Sequence, residues 1–302
     1  MLKLLPSIIL LLCLGCNAKK SENENFKPVQ VNQSSASVLT AGEVIGRIKD
    51  RVTCDWREET VDTYKSGNPD TKVTGIATTF LATLDVLKKA QKEGLNLVIT
   101  HEPTYYNHLD DTEFFTSDPV YIAKRKFIEE HNMVIFRFHD HWHMTNPDGI
   151  HTGMINELGW KSYQMKTDQM IFELPEQTVG TLAKTLKDHF NTPAVRVVGD
   201  PDLKISQVGM AVGAPGSQRQ IMMLRRDDVE VLIGGETHEW ETVEWVRDAH
   251  SEGRKKALIL IGHANSEEAG MAYCASWLEE FISEIPVQFI AAGDPFWGPG
   301  LD

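Results

Sequence analysis

Histidines and carboxylates gather in four short stretches of this chain: His101-Glu102, His139-Asp140-His141-Trp142-His143, Glu236-Thr237-His238-Glu239, and His263 with Glu267 four residues on. Neutral imidazole and ionised carboxylate together suit Zn, Fe, Mn, Co or Ni, whereas a closed structural zinc site is usually marked by thiolates. No cysteine lies in these stretches. The donors also outnumber what one tetrahedral ion takes. His101, Glu102, His143, His263 and Glu267 would serve two divalent ions with a carboxylate between them, a device that activates water against a phosphate or acyl centre. A lone histidine at a strand end is more often a hydrogen-bonded loop residue than a ligand, so the coincidence of four stretches carries the metal reading. His108 and His151 lack such company and read as ordinary, as do His131, His189 and His250 near helix ends.

Each stretch follows a short apolar run: "LNLVIT" (95–100), "MVIFRF" (133–138), "VEVLIGG" (229–235) and "ALILIG" (257–262). Such runs are expected of strands covered on both faces. Helical periodicity lies between them. Leu81, Leu84, Leu87 and Ala90 share a face that stops at Gly94, and Ser117-Asp118-Pro119 opens another helix. In "HEWETVEWVRDAH" the residues Trp240, Val243, Trp245 and Val246 read as a packing face. The alternation predicts an α/β fold of two lobes, residues 41–165 and 166–302, with mostly parallel or mixed sheets flanked by helices. The metal site is expected at the carboxyl ends of the strands, between the lobes, where open α/β sheets bind ligands. The glycines of "VGMAVGAPGSQ" are not followed by Lys-Ser/Thr, so a phosphate loop is a weak reading.

The N-terminus reads as targeting. "MLKLLPSIILLLCLGC" joins Lys3 to an apolar run too short for a stable membrane span and ends on Gly15-Cys16, as a lipoprotein signal peptide does. Cys16 is then the lipidated first residue, and residues 17–40, polar and rich in Asn, Ser, Lys and Glu, form a disordered tether. The chain is expected to be exported and lipid-anchored to a bacterial membrane, facing the periplasm or the surface. A net charge of −13 leaves no basic surplus to displace phosphate counterions, which disfavours nucleic acid. Cys54 and Cys274 could be either a disulfide or two buried thiols.

With these motifs in place the chain resembles the Nif-three-like dinuclear-metal family, whose members are often called GTP cyclohydrolase I type 2. The likeness covers residues 41–297. It rests on "VTGIATTFLATLDVLKKAQKEGLNLVITHEP" for the family's strand, helix and Thr-His-His-Pro, and on "LILIGHANSEEAGMAYCASWLEEF" before "VQFIAAGDPFW" for its Gly-His-x-x-Ser/Thr-Glu. "LPEQTVGTLAKTLKDHF" and "GGETHEW" also look like the family. By this resemblance the paired histidines fall on His101 and Glu102, and the later His-Glu pair on His263 and Glu267. The middle aspartate, four residues after a histidine, falls on His143, with Asp140 as the other candidate. Glu102 for His and His143 for Asp exchange one imidazole and one carboxylate, as a compensated site would. Glu267, His139, Asp140 and His238 are then the candidates for moving protons. The resemblance implies two α/β lobes, a toroidal homo-hexamer and a metal-dependent hydrolase whose small-molecule substrate is open, from ring hydrolysis as in GTP cyclohydrolase to phosphoester or amide hydrolysis. The alternative is a non-catalytic metal-binding or scaffold protein that keeps the cage.

Overall fold

In the computed structural model residues 39–297 are described. The expected signal peptide, Cys16 and nearly all of the tether lie outside them. The first half of the described chain contributes α1 (Ala41–Arg51), β1 (Tyr64–Ser66), β2 (Ile76–Thr79), α2 (Leu84–Lys92), β3 (Leu97–Thr100), α3 (Pro119–Glu130), β4 (Val134–Arg137), α4 (Asp140–Met144) and α5 (Gly149–Leu158). The second contributes β5 (Ile171–Thr178), α6 (Val179–Phe190), β6 (Arg196–Val198), β7 (Lys204–Ala211), α7 (Ser217–Leu224), β8 (Val231–Gly234), α8 (Glu244–Ser251), β9 (Ala257–Leu260), α9 (His263–Glu279) and β10 (Val287–Phe289).

The strands form two five-stranded sheets of order β1-β4-β3-β2-β10 and β5-β7-β8-β9-β6. Both are mixed. The inner strands run parallel, while β1, β5 and β6 pair antiparallel at or next to the edges. Every residue of β2, β3, β4, β8 and β9 is buried, which is why these runs carry no polar alternation. Parallel neighbours need a crossover, and α2 between β2 and β3 and α3 between β3 and β4 supply it. The Asp118 carboxylate caps α3 and Pro119 opens it, as expected.

One apolar cluster joins the sheets, running from Ile99 and Phe136 through Ile150 and Met271 to Met210 and Ile259. Its middle is the crossing of α5 and α9, where glycines let the backbones touch. A Cβ on Gly153 would lie 2.3 Å from the Ala269 carbonyl oxygen, and one on Gly270 would lie 2.5 Å from Ile150 Cα. Fully buried Trp142 donates from Nε1 to the Gly270 carbonyl at 3.2 Å. This crossing fixes α4 and α9, the two helices that carry most of the histidine-rich motifs, relative to each other.

After β4, residues 140–144 turn at once into a short helix. Two expectations need correction. The lobes are not contiguous at residue 166, because β10 pairs parallel with β2 in the first sheet. The helix expected from His238 begins with a wide π-type turn at Glu239–Val243, and Trp240 is exposed, so only Val246 of the proposed packing face is fully buried. Cys54 and Cys274 are free thiols.

Candidate metal centre

The ends of β3, β4 and β9 bring His101, Glu102, His139, His143, His263 and Glu267 together. Ring nitrogens of His101, His139 and His143 all lie within 4.8 Å of one another, and donor atoms of His101, Glu102 and Glu267 form a second such group that shares His101.

Each imidazole is oriented by an outer oxygen. His101 Nδ1 lies 3.2 Å from the Phe138 carbonyl, His139 Nδ1 lies 2.8 Å from Asp140 Oδ1, and His143 Nδ1 lies 2.9 Å from Asp148 Oδ2. A carbonyl or carboxylate oxygen only accepts, so Nδ1 carries the hydrogen and Nε2 is left as the inner nitrogen. This is how metal-ligating histidines are held by their outer neighbours. The rigidity comes from α4. Its turn places His139 and His143 on one face, with Trp142 wedged beneath. Asp62 accepts the backbone N–H groups of His139, Asp140 and His141 at 2.6–2.9 Å and so caps the helix from outside.

The most telling atom is His101 Nε2. The ring is fully buried, and this nitrogen has no hydrogen-bond partner, with Glu267 Oε2 nearest at 3.5 Å. A buried lone pair without a donor is costly. Burial, with His143 and His139 beside it, holds the His101 pKa well below its ordinary value, so the ring is neutral and ready to donate to a cation. The donor set therefore fits divalent ions.

Around this nitrogen the charge is negative. His263 Nε2 stands 3.0 Å from Glu267 Oε2 and 3.4 Å from Glu102 Oε1, and its Nδ1 3.3 Å from Glu236 Oε1. Burial disfavours charge on His263, but hydrogen bonds to Glu102, Glu236 and Glu267 outweigh it and raise the pKa to about 12. Glu102 also meets Arg137, whose Nη2 lies 3.3 Å from Oε2 while its Nε donates to the His101 carbonyl at 3.1 Å. The loop after β7 presses on Glu267. Gly213 has φ +65°, and a Cβ there would lie 2.0 Å from Glu267 Oε1. A pocket of about 840 Å³ opens onto the cluster and is lined by both halves of the chain.

Two expected residues have other places. Asp140 Oδ2 accepts from Thr60 Oγ1 at 2.8 Å and from the Val61 N–H at 3.2 Å, so Asp140 orients His139 and is not a donor to the cluster. Burial opposes its charge, but His139 and Thr60 hold its pKa down to about 2. His238 is not brought in: its side chain is 63% exposed, stacked on Trp240 and 3.3 Å from Glu241. Conversely, His151, taken as ordinary, shares Asp148 with His143 at 2.8 Å, and His108 stands beside the His139 ring. Arg137 and Asp148 were missed, and Glu236, singled out only as part of its histidine–carboxylate stretch, was given no role. An arginine inside the apolar run "MVIFRF" was the only signal, since a buried charge needs a partner.

Fold and site together define a two-sheet α/β protein with a buried histidine–carboxylate cluster at the strand ends. Residues 47–295 match the family model described as DUF34/NIF3 (NGG1p interacting factor 3), and the chain belongs to that family. A GTP cyclohydrolase 1 type 2 homolog of Clostridium acetobutylicum is 24% identical over 232 residues, which cover 73% of this chain and 82% of that one. Among solved structures, a NIF3-related protein of Bacillus cereus superposes with a TM-score of 0.68 at 14% identity, covering 86% of this chain and 99% of that chain. A Staphylococcus aureus hypothetical protein gives 0.65 at 17% identity, over 86% and 99%. These structures share the fold.

Proposed function

We propose that the protein is a metal-dependent hydrolase that holds two divalent ions, of the kind Zn, Fe, Mn, Co or Ni, among His101, Glu102, His139, His143, His263 and Glu267. The observation that carries this reading is the unpartnered Nε2 of fully buried His101, set among histidines whose outer nitrogens are already bonded. Such ions supply Lewis acidity that lets water attack near neutral pH. The chain's own residues do the rest. Asp140 and Asp148 aim His139 and His143, Arg137 fixes Glu102, and Gly213 lets the loop close on Glu267. Glu267 and His151 line the pocket and can take or return a proton there. The pocket favours turnover over a closed cage, since it gives a substrate room beside the donors. Ring opening, as the name of the Clostridium relative suggests, is one chemistry it would serve, and phosphoester or amide hydrolysis is another.

The same reading takes the mature chain as exported, tethered through a lipid on Cys16 and assembled as a homo-hexamer. Among the described residues no helix is long and apolar enough to cross a membrane. Replacing Cys16→Ser should then release the protein from the membrane fraction, and unchanged fractionation would remove that part of the reading. The function is tested by metal analysis of purified protein, then a hydrolase substrate panel run with the metal found. Turnover that disappears on chelation and returns on reloading is expected. Metal without turnover of any class would leave the binding protein and sink the hydrolase.

A further inference from the structure

The pocket that opens onto the cluster holds a feature that metal binding does not use. Its far wall is apolar and comes from the second half of the chain, with Met170, Met210, Val212 and Met223. Two guanidinium groups also line it, Arg57 from the segment between α1 and β1 and Arg219 from the first turn of α7. Several other arginines pair with carboxylates, as Arg47 does with Glu284, Arg137 with Glu102 and Arg226 with Asp168 and Asp228, whereas Arg51 and Arg225 do not among the described residues; Arg57 and Arg219 are exposed at the pocket. Among the described residues neither the Arg57 nor the Arg219 side chain has a hydrogen-bond or ion-pair partner, although both line a pocket that also holds Glu102, Asp140, Asp148 and Glu267.

Arg57 is also held in place. Its backbone N–H donates to His141 Nε2 at 2.9 Å, and Trp56 stacks on the His141 ring at 3.7 Å between centroids. His141 Nδ1 in turn lies 2.7 Å from Asp62 Oδ2, with both side chains fully buried. The middle histidine of the motif therefore anchors the segment that presents Arg57, on the helix whose other face presents His139 and His143.

We propose that this pocket recognises a small organic oxyanion, a phosphate or carboxylate group on an apolar body. Arg57 and Arg219 take the anion from the two sides, and the methionines take the body. Guanidinium forks match phosphate and carboxylate oxygens with paired charge-assisted hydrogen bonds. Methionine walls adapt to bodies of different shape. The anion-recognition step stands on the pocket alone. Only the statement that the bond to be cleaved then lies at the cluster rests on the hydrolase reading.

The test uses the metal-loaded mature chain and titrates phenylphosphonate, benzoate and uncharged benzyl alcohol by calorimetry. At least one of the two anions should bind, and which one tells phosphate from carboxylate. Arg57→Gln and Arg219→Gln should each weaken it about tenfold, Arg57→Lys less, and the double variant about a hundredfold, with metal content unchanged. Benzyl alcohol should bind weakly and equally to all. Neither anion binding the wild-type chain, or the double variant binding an anion as tightly as wild type, overturns the proposal. A failed hydrolase reading shows separately, as anion binding without turnover.

Discussion

Two histidine–carboxylate arrangements sit two residues apart on α4 and do opposite things. In one, His141 has both ring nitrogens engaged, Nδ1 with Asp62 and Nε2 with the Arg57 N–H, under a stacked Trp56. In the other, His139 and His143 use Nδ1 on Asp140 and Asp148 and turn Nε2 toward His101, whose own Nε2 has no partner. Both are rich in imidazole and carboxylate. The closed one is architecture, and the open one is the candidate donor set. Counting histidines would rank them equally, whereas counting unsatisfied inner nitrogens separates them.

The sharpest way to break this comparison is to open the closed arrangement. Asp62→Ala strips the acceptor from three backbone N–H groups and from the His141 ring. It should cost about 3–5 kcal/mol of folding free energy in denaturant titration, as removing one partner of a buried polar pair does. Metal affinity of the protein that remains folded should fall much less than the affinity of ligand variants. A variant as stable as wild type would mean that the His141 cluster is not structural.

Asp148→Asn tests the open arrangement from outside. Asparagine still caps α5, where Asp148 Oδ1 accepts from the His151 N–H at 3.0 Å, so the helix should survive. The His143 ring loses its charged acceptor, and metal affinity should fall about 10–100-fold. Affinity within a factor of two of wild type would show that His143 does not depend on Asp148.

The exchanged pair gives a smaller, coupled effect. Glu102→His and His143→Asp should each weaken metal retention, because donor type and charge both change. The double variant, which restores the family's usual residues, should recover much of the loss, with a coupling energy of about 0.5–3 kcal/mol. Losses that add would put the two positions on separate sites.

A pH-dependent effect concerns the wall of the cluster. Burial lowers the Lys124 pKa from 10.5 to about 8, opposed by Asp110, and Nζ donates to the Thr104 carbonyl at 2.6 Å. Between about pH 8 and 10.5 the unfolded chain binds the proton that the folded chain has lost, so stability rises with pH across that window. The rise should be up to about 3 kcal/mol and absent in Lys124→Met. A parallel pH dependence in the two proteins would contradict it.

Much of this was legible in the sequence. The strands β3, β4, β8 and β9 announce themselves as apolar runs, and the parallel pairing of β3 with β4 sets the motifs at their carboxyl ends side by side, whereas β8 and β9 belong to the other sheet. The division of labour in "HDHWH" was not legible, because it turns on backbone geometry. At strand spacing His139, His141 and His143 share one face, whereas on a helical turn His139 and His143 share a face and His141 points away. Asp62 and Asp148 are single acids in polar segments and carry no pattern of their own, and of the marked stretch 236–239 it is Glu236 that reaches His263 while His238 stays exposed. The return of β10 to the first sheet was hidden too, since three residues do not choose a partner strand without the packing of α9 behind them.

His101 Nε2, buried without a partner, is the atom on which the proposed metal ligation turns. Metal stoichiometry of the purified chain by elemental analysis, side by side with His101→Ala, tests it most directly, with circular dichroism confirming that both are folded. About two divalent ions per chain are expected in the wild type and a clear loss in the variant. A folded wild-type chain that takes up no ion, or a His101→Ala protein that retains the full complement, would contradict the account.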